Sequence, residues 1–145
     1  MKIAIGSDHG GFLLKEEINK NLDSSGVDYV DFGVFDEKPY DYPAIAMRVV
    51  EEILNDRVDR GILLCGTGIG MSIQANRFIG IRAALCYSEY TAEMSRKHNN
   101  SNILVLGGRA IDKDLAIKIL NIWLSTDFEG GKHERRIKKI DEGIE

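Results

Sequence analysis

Gly61-Ile62-Leu63-Leu64-Cys65-Gly66-Thr67-Gly68-Ile69-Gly70 packs a strand, a turn and the start of a helix into ten residues. Its apolar run has no polar alternation, which suits a strand buried on both faces, as in a parallel sheet. Glycines at every second position after Cys65 let the backbone turn at once and aim its amides inward as an anion nest. The spacing is not the dinucleotide G-x-G-x-x-G, and no Lys-Ser/Thr follows as in a P-loop, so nicotinamide and nucleoside-triphosphate sites are disfavoured.

The rest of the chain repeats the unit. Short apolar runs recur at Lys2–Ile5 before Gly6, at Ile81–Cys86, and at Asn102–Leu106 before Gly107-Gly108, with a weaker one at Val27–Phe32. Between them lie helical stripes. Leu14, Ile18 and Leu22 form one; Ile45, Val49, Val50, Ile53 and Leu54 form another, behind a first-turn Pro43. Met71–Phe78 and Tyr90–His98 are shorter, and Leu115, Ile119, Leu120 and Trp123 make the last long one. Regular alternation of strand and helix predicts an α/β fold with a parallel sheet, right-handed crossovers and helices on both faces. Beyond it, 132–144 is charged but carries Ile137, Ile140 and Ile144 at helical spacing, an amphipathic helix that docks on this subunit or a partner.

The chain of 145 residues suits one domain, 1–145, with no repeat or linker. Nineteen Lys and Arg against 23 Asp and Glu leave a net charge of −4, which argues against non-specific nucleic-acid binding. The early glycines leave no room for a signal peptide, and no run reaches the ~18 apolar residues of a membrane span. A soluble, cytoplasmic protein is expected. Two cysteines twenty residues apart form neither a disulfide framework nor a C-x-x-C motif.

In open parallel sheets, ligands bind beyond the carboxyl ends of the strands, where helix N-termini offer free N–H groups. There the sequence places Asp8 and His9 after strand one, Cys65 to Gly70 after strand three, and Arg109 after strand five. His98-Asn99, after the fourth helix, is read onto the same rim. A thiol at a helix N-terminus is placed for use as a thiolate, against the plainer reading of a small buried hydrophobe. Cys86, inside a strand run, fits that plainer reading. Asp8 reads either as a helix cap or, with His9, as an acid/base or hydroxyl-orienting pair. His98 reads as a functional group or as a charge complementing a helix end. His133, in the charged tail, is expected to be solvated. Three dispersed histidines make no case for a metal. Lys132 and Arg136, four apart on one helical face, offer either a solvated surface or an anion grip.

Taken together, several motifs resemble one family: G-S-D-H-G-G-F (Gly6–Phe12), D-Y-P (Asp41–Pro43), C-G-T-G-I-G (Cys65–Gly70), Q-A-N-R and G-I-R within Gln74–Arg82, S-R-K-H-N-N (Ser95–Asn100) and E-G-G-K-H (Glu129–His133). The family is type B ribose-5-phosphate isomerase, which includes galactose-6-phosphate isomerase subunits and other aldose-phosphate isomerases. The resemblance covers essentially the whole chain. It implies a Rossmann-like three-layer αβα sandwich with a five-stranded parallel sheet, an extra C-terminal helix and no cofactor. It also implies a homodimer, sometimes paired into tetramers, with the active site at the subunit interface.

By position, the resemblance makes Cys65 the base that moves a proton between C1 and C2, with Thr67 assisting transfer between the oxygens. The amides from Gly66 through Gly68 to Gly70 would hold the enediolate. Asp8 and His98 match positions associated with ring opening and hydroxyl binding, Asn99 contacts the sugar, and Tyr42 lies near the site. His9, Arg109 and Arg136 match phosphate-binding positions. Lys132 stands where the family has arginine, keeping the charge but losing the bidentate fork. The expected reaction is D-ribose 5-phosphate to D-ribulose 5-phosphate through a cis-enediolate. Rivals are the same chemistry on allose 6-phosphate or galactose 6-phosphate, a non-catalytic module for a phosphorylated ligand, and, more remotely, a thiol redox sensor.

Overall fold

A computed structural model describes residues 1–142; Ile144, assigned above to the tail helix, lies outside them. The strands are β1 (Lys2–Ser7), β2 (Asp28–Asp31), β3 (Arg60–Cys65), β4 (Ala83–Leu85) and β5 (Ile103–Gly107). The helices are α1 (Phe12–Ser24), α2 (Tyr42–Leu54), α3 (Ile69–Ala75), α4 (Glu89–Lys97), α5 (Lys113–Ser125) and α6 (Lys132–Asp141). All strand pairs are parallel, in the order β2-β1-β3-β5-β4.

Strand residues alternate between the two faces, as the two-residue period requires. Ile3, Ile5, Ile62, Leu64, Leu104 and Leu106 point into one core with Leu14, Ile18 and Leu22 of α1, Ala92 of α4, and Ile119, Leu120 and Trp123 of α5. Ala4, Leu63, Cys65, Ile103 and Val105 point into the other, with Ile45, Val49 and Val50 of α2 and Met71 and Ala75 of α3. The three-layer αβα architecture is therefore present. Strands sandwiched this way have no wet face, which is why they read as unbroken apolar runs. Two runs are shorter in space than in sequence: Val27–Phe32 yields only Asp28–Asp31, and Ile81–Cys86 only Ala83–Leu85.

The tail forms α6, with Ile137 buried but Ile140 exposed. Arg82, before β4, donates to Asp141 over 3.0 Å and secures its end. No described helix is long and apolar enough to cross a membrane.

Candidate active site

Because the strands are parallel, the loops leaving β1, β3 and β5 meet at one rim. Arg109 N–H donates to Gly66 O over 2.9 Å, and Gly108 N–H to Cys65 O over 2.8 Å, tying the third loop to the second. A Cβ on Gly10 would sit 2.8 Å from Gly66 N, so the first loop lies directly against the second.

Cys65 ends β3 and is 5% exposed. Gly68 N–H donates to its sulfur over 3.1 Å. Gly68 itself takes φ +81°, a left-handed conformation at the head of α3 that suits glycine. The exposed Thr67 hydroxyl accepts from Ile69 N–H at 3.2 Å. The nest is thus narrower than the sequence implies, since Gly68 and Ile69 spend their amides on the loop's own side chains. The N–H groups of Gly66 and Thr67 carry no hydrogen bond among the described residues. Gly70 N–H, in the first turn of α3, has no intrahelical partner.

Asp8 does not cap α1, whose N-cap is Gly11; its Oδ1 accepts from Gly10 N–H at 2.9 Å and Gly11 N–H at 3.2 Å in the loop before the helix. Oδ2 has no hydrogen bond among the described residues. His9 Nδ1 accepts from Tyr40 N–H at 3.2 Å, drawing the 32–41 loop over the rim. The same loop delivers Tyr42, whose ring lies so close that a Cβ on Gly70 would be 2.7 Å from its Cζ. Arg109 runs beside Gly66 and carries no ion pair among the described residues.

The structure corrects the placing of His98 and Asn99. A helix that follows a strand returns antiparallel to it, so α4 ends at the amino end of β5, the opposite rim from Cys65. The five residues of β5 separate the two rims by about 15 Å. His98 caps α4, its N–H bonded to Met94 O at 2.9 Å, and Asn99 is exposed beside it. Lys132 and Arg136 of α6 are exposed on this second rim, on the helix that carries His133 against His98. The expected site residues therefore fall into two groups on opposite rims. Cys65, Thr67, Asp8, His9, Tyr42 and Arg109 form one; His98, Asn99, Lys132 and Arg136 form the other.

His133 is the second correction. It is 8% exposed, not solvated, and stacks on His98 with ring centroids 4.2 Å apart and planes 10° from parallel. Burial pushes its pKa down, and His98, Lys132 and Arg136 push the same way against Glu129. Its charged neighbours hide this in the sequence. Only its place in E-G-G-K-H, beside a turn, offers a signal. Cys86 behaves as expected: 2% exposed, with burial pushing its thiol up.

An acceptor sulfur at a strand tip, open amides and an unpaired arginine define a doubly wound α/β protein fitted for acid–base chemistry on an anionic substrate. The chain belongs to the Ribose/Galactose Isomerase family, whose model matches residues 3–140. Ribose-5-phosphate isomerase B of Escherichia coli strain K12 is 45% identical over 96% of this chain and 93% of its own. The crystal structure of a ribose 5-phosphate isomerase from Thermotoga maritima superposes with a TM-score of 0.96 at 55% identity, covering 98% of both chains. Ribose-5-phosphate isomerase B from Mycoplasma genitalium with bound ribulose-5-phosphate gives 0.92 at 41% identity, covering 97% of this chain and 94% of that one.

Proposed function

We propose that this chain interconverts D-ribose 5-phosphate and D-ribulose 5-phosphate, in a site assembled from two copies of itself. The observation that carries the reading is Cys65 Sγ held by Gly68 N–H beside the open amides of Gly66 and Thr67. Aldose–ketose isomerisation needs a base for a weakly acidic C–H and donors for the oxyanion that forms. The thiolate of Cys65 removes the C2 proton of the open-chain aldose. The resulting cis-enediolate is held by the Gly66, Thr67 and Gly70 amides. Thr67 passes a proton between O2 and O1, and the Cys65 thiol, whose proton exchanges with solvent, protonates C1. Asp8, through Oδ2, orients a substrate hydroxyl.

Phosphate lies far from the reacting carbons and supplies binding energy that holds them in place. His9 and Arg109 take it from the carboxyl rim. Lys132 and Arg136 belong to the other rim, too far to join them within one chain. A twofold dimer laying the amino rim of one copy over the carboxyl rim of the other completes two identical sites. Ile69 and Ile73, 54% and 62% exposed one turn apart on α3 beside the half-site, give such a contact an apolar surface.

The test is an assay for ribulose 5-phosphate formed from ribose 5-phosphate with EDTA present. Turnover supports the reading. Tight binding of the sugar phosphate without turnover would instead support a non-catalytic binding module.

A further inference from the structure

The stacked pair His98–His133 and the carboxylate beside it have no part in the proton transfer described above. Their geometry is built deliberately by the turn that precedes α6. Gly130 and Gly131 adopt φ +69° and +58°, and a Cβ on either would meet open space, so backbone conformation rather than room demands glycine there. Glu129 N–H donates to Lys97 O and His133 N–H to Gly130 O, each over 3.1 Å. These bonds fold the first turn of α6 back onto the end of α4. Glu129 Oε2 then lies 4.0 Å from His98 Nε2 and 3.7 Å from His133 Nε2.

Two imidazoles and a carboxylate within 4.8 Å of one another have the composition of a zinc site. The geometry argues otherwise. Nearly parallel rings direct their in-plane lone pairs into separate planes, not to one point. Lys132 and Arg136, which act on His133, also repel a cation.

We propose that His133 and Glu129 are positioning residues that fix the ring of His98 for opening of the substrate's furanose. The inference rests on the isomerase reading above. Opening takes the proton from O1–H, breaks the C1–O4 bond and delivers a proton to O4, with no net gain. An imidazole can relay that proton only if its nitrogens are correctly placed, and a misplacement of about 1 Å can cost about 10²-fold. His98 is half-exposed at a helix end, where its ring would otherwise turn freely; the buried face of His133 stops it. Glu129 Oε2, 4.0 Å from His98 Nε2, borders the same ring, while burial disfavours a proton on His133.

Ribulose 5-phosphate cannot close a furanose, because its O5 carries the phosphate. Exchange of its C1 hydrogen with deuterated solvent therefore reports proton abstraction without ring opening. For His133→Ala, kcat on ribose 5-phosphate should fall at least tenfold with KM within about twofold, while C1 exchange stays within about twofold of the unmodified protein. His133→Phe, which keeps a stacking face, should recover most of that loss, and Glu129→Gln should show a milder form of the same split. The two milder variants keep the test available if His133→Ala folds poorly. Parallel loss of turnover and exchange, or no loss of either, would overturn the positioning role. Absence of both turnover and exchange in the unmodified protein would instead sink the isomerase reading itself.

Discussion

The amide of Gly68 donates to the sulfur of Cys65 over 3.1 Å, and the same residue turns the chain into α3 with a left-handed backbone. An alanine there would be strained by roughly 1–2 kcal/mol. Its Cβ would also lie 2.5 Å from Leu85 Cδ1 and 3.1 Å from the Leu106 carbonyl carbon. Gly68→Ala should therefore lower both Tm and kcat, the latter more than tenfold. Calorimetry together with steady-state kinetics measures both. Unchanged kcat in a destabilised variant would mean that the sulfur does not depend on this donor.

The proposed sharing of the site between two copies has a consequence for mixed dimers. Chains carrying Cys65→Ala and chains carrying Arg136→Ala are each defective alone. Random hybrids restore one intact site in half of the dimers, so co-refolded mixtures should regain about a quarter of the wild-type sites. If each chain formed its own site, mixing would restore nothing.

Phosphate contacts act on binding more than on chemistry. Arg136→Ala should raise KM about tenfold or more with a smaller effect on kcat. Lys132→Arg restores a bidentate fork and should lower KM. Initial-rate kinetics over a range of ribose 5-phosphate concentrations separates the two parameters. An unchanged KM in Arg136→Ala would remove that residue from the grip.

Much of this arrangement is legible in the chain itself. Ile62 to Cys65 and Ile103 to Leu106 read as buried parallel strands because both of their faces are dry. Cys65, Asp8 and Arg109 could be placed because the residue after a strand has a fixed address. The sequence misplaces His98 for the complementary reason: the residue after a helix belongs to the opposite end of the sheet. His133 is hidden in the sequence because Lys132, Glu134, Arg135 and Arg136 make its surroundings look solvated, while the ring stacked on it lies 35 positions earlier in the chain. The sharing of amides between ligand and loop depends on hydrogen-bond geometry that no spacing specifies.

Alkaline stability should carry the mark of Cys86. Burial holds its native thiol above the ordinary 9.0, with the Ser95 and Thr91 hydroxyls opposing. Above that pH the unfolded chain releases a proton that the native state retains, so stability falls as pH rises, by up to about 1.4 kcal/mol per pH unit. Tyr29, raised by burial and by Asp23, adds the same sign above 10.0. Urea denaturation at pH 7 and pH 10 should show a smaller alkaline loss in Cys86→Ala than in the unmodified protein. Equal losses would contradict the assignment.

Substrate length is a separate question of pocket depth. Kinetics on five- and six-carbon aldose phosphates distinguishes the proposed pentose phosphate from its hexose rivals. Ribose 5-phosphate should exceed allose 6-phosphate and galactose 6-phosphate in kcat/KM by at least about tenfold. A higher value for either hexose phosphate would reassign the substrate.

The most direct test follows deuterium from solvent into C2 of ribose 5-phosphate by NMR, with EDTA present, in the unmodified protein and in Cys65→Ala. Label should enter C2 rapidly in the first. In the second it should enter about 10²–10⁴-fold more slowly, the usual contribution of a positioned base, with sugar-phosphate binding retained. Equal incorporation by the two proteins would show that some other group removes the proton.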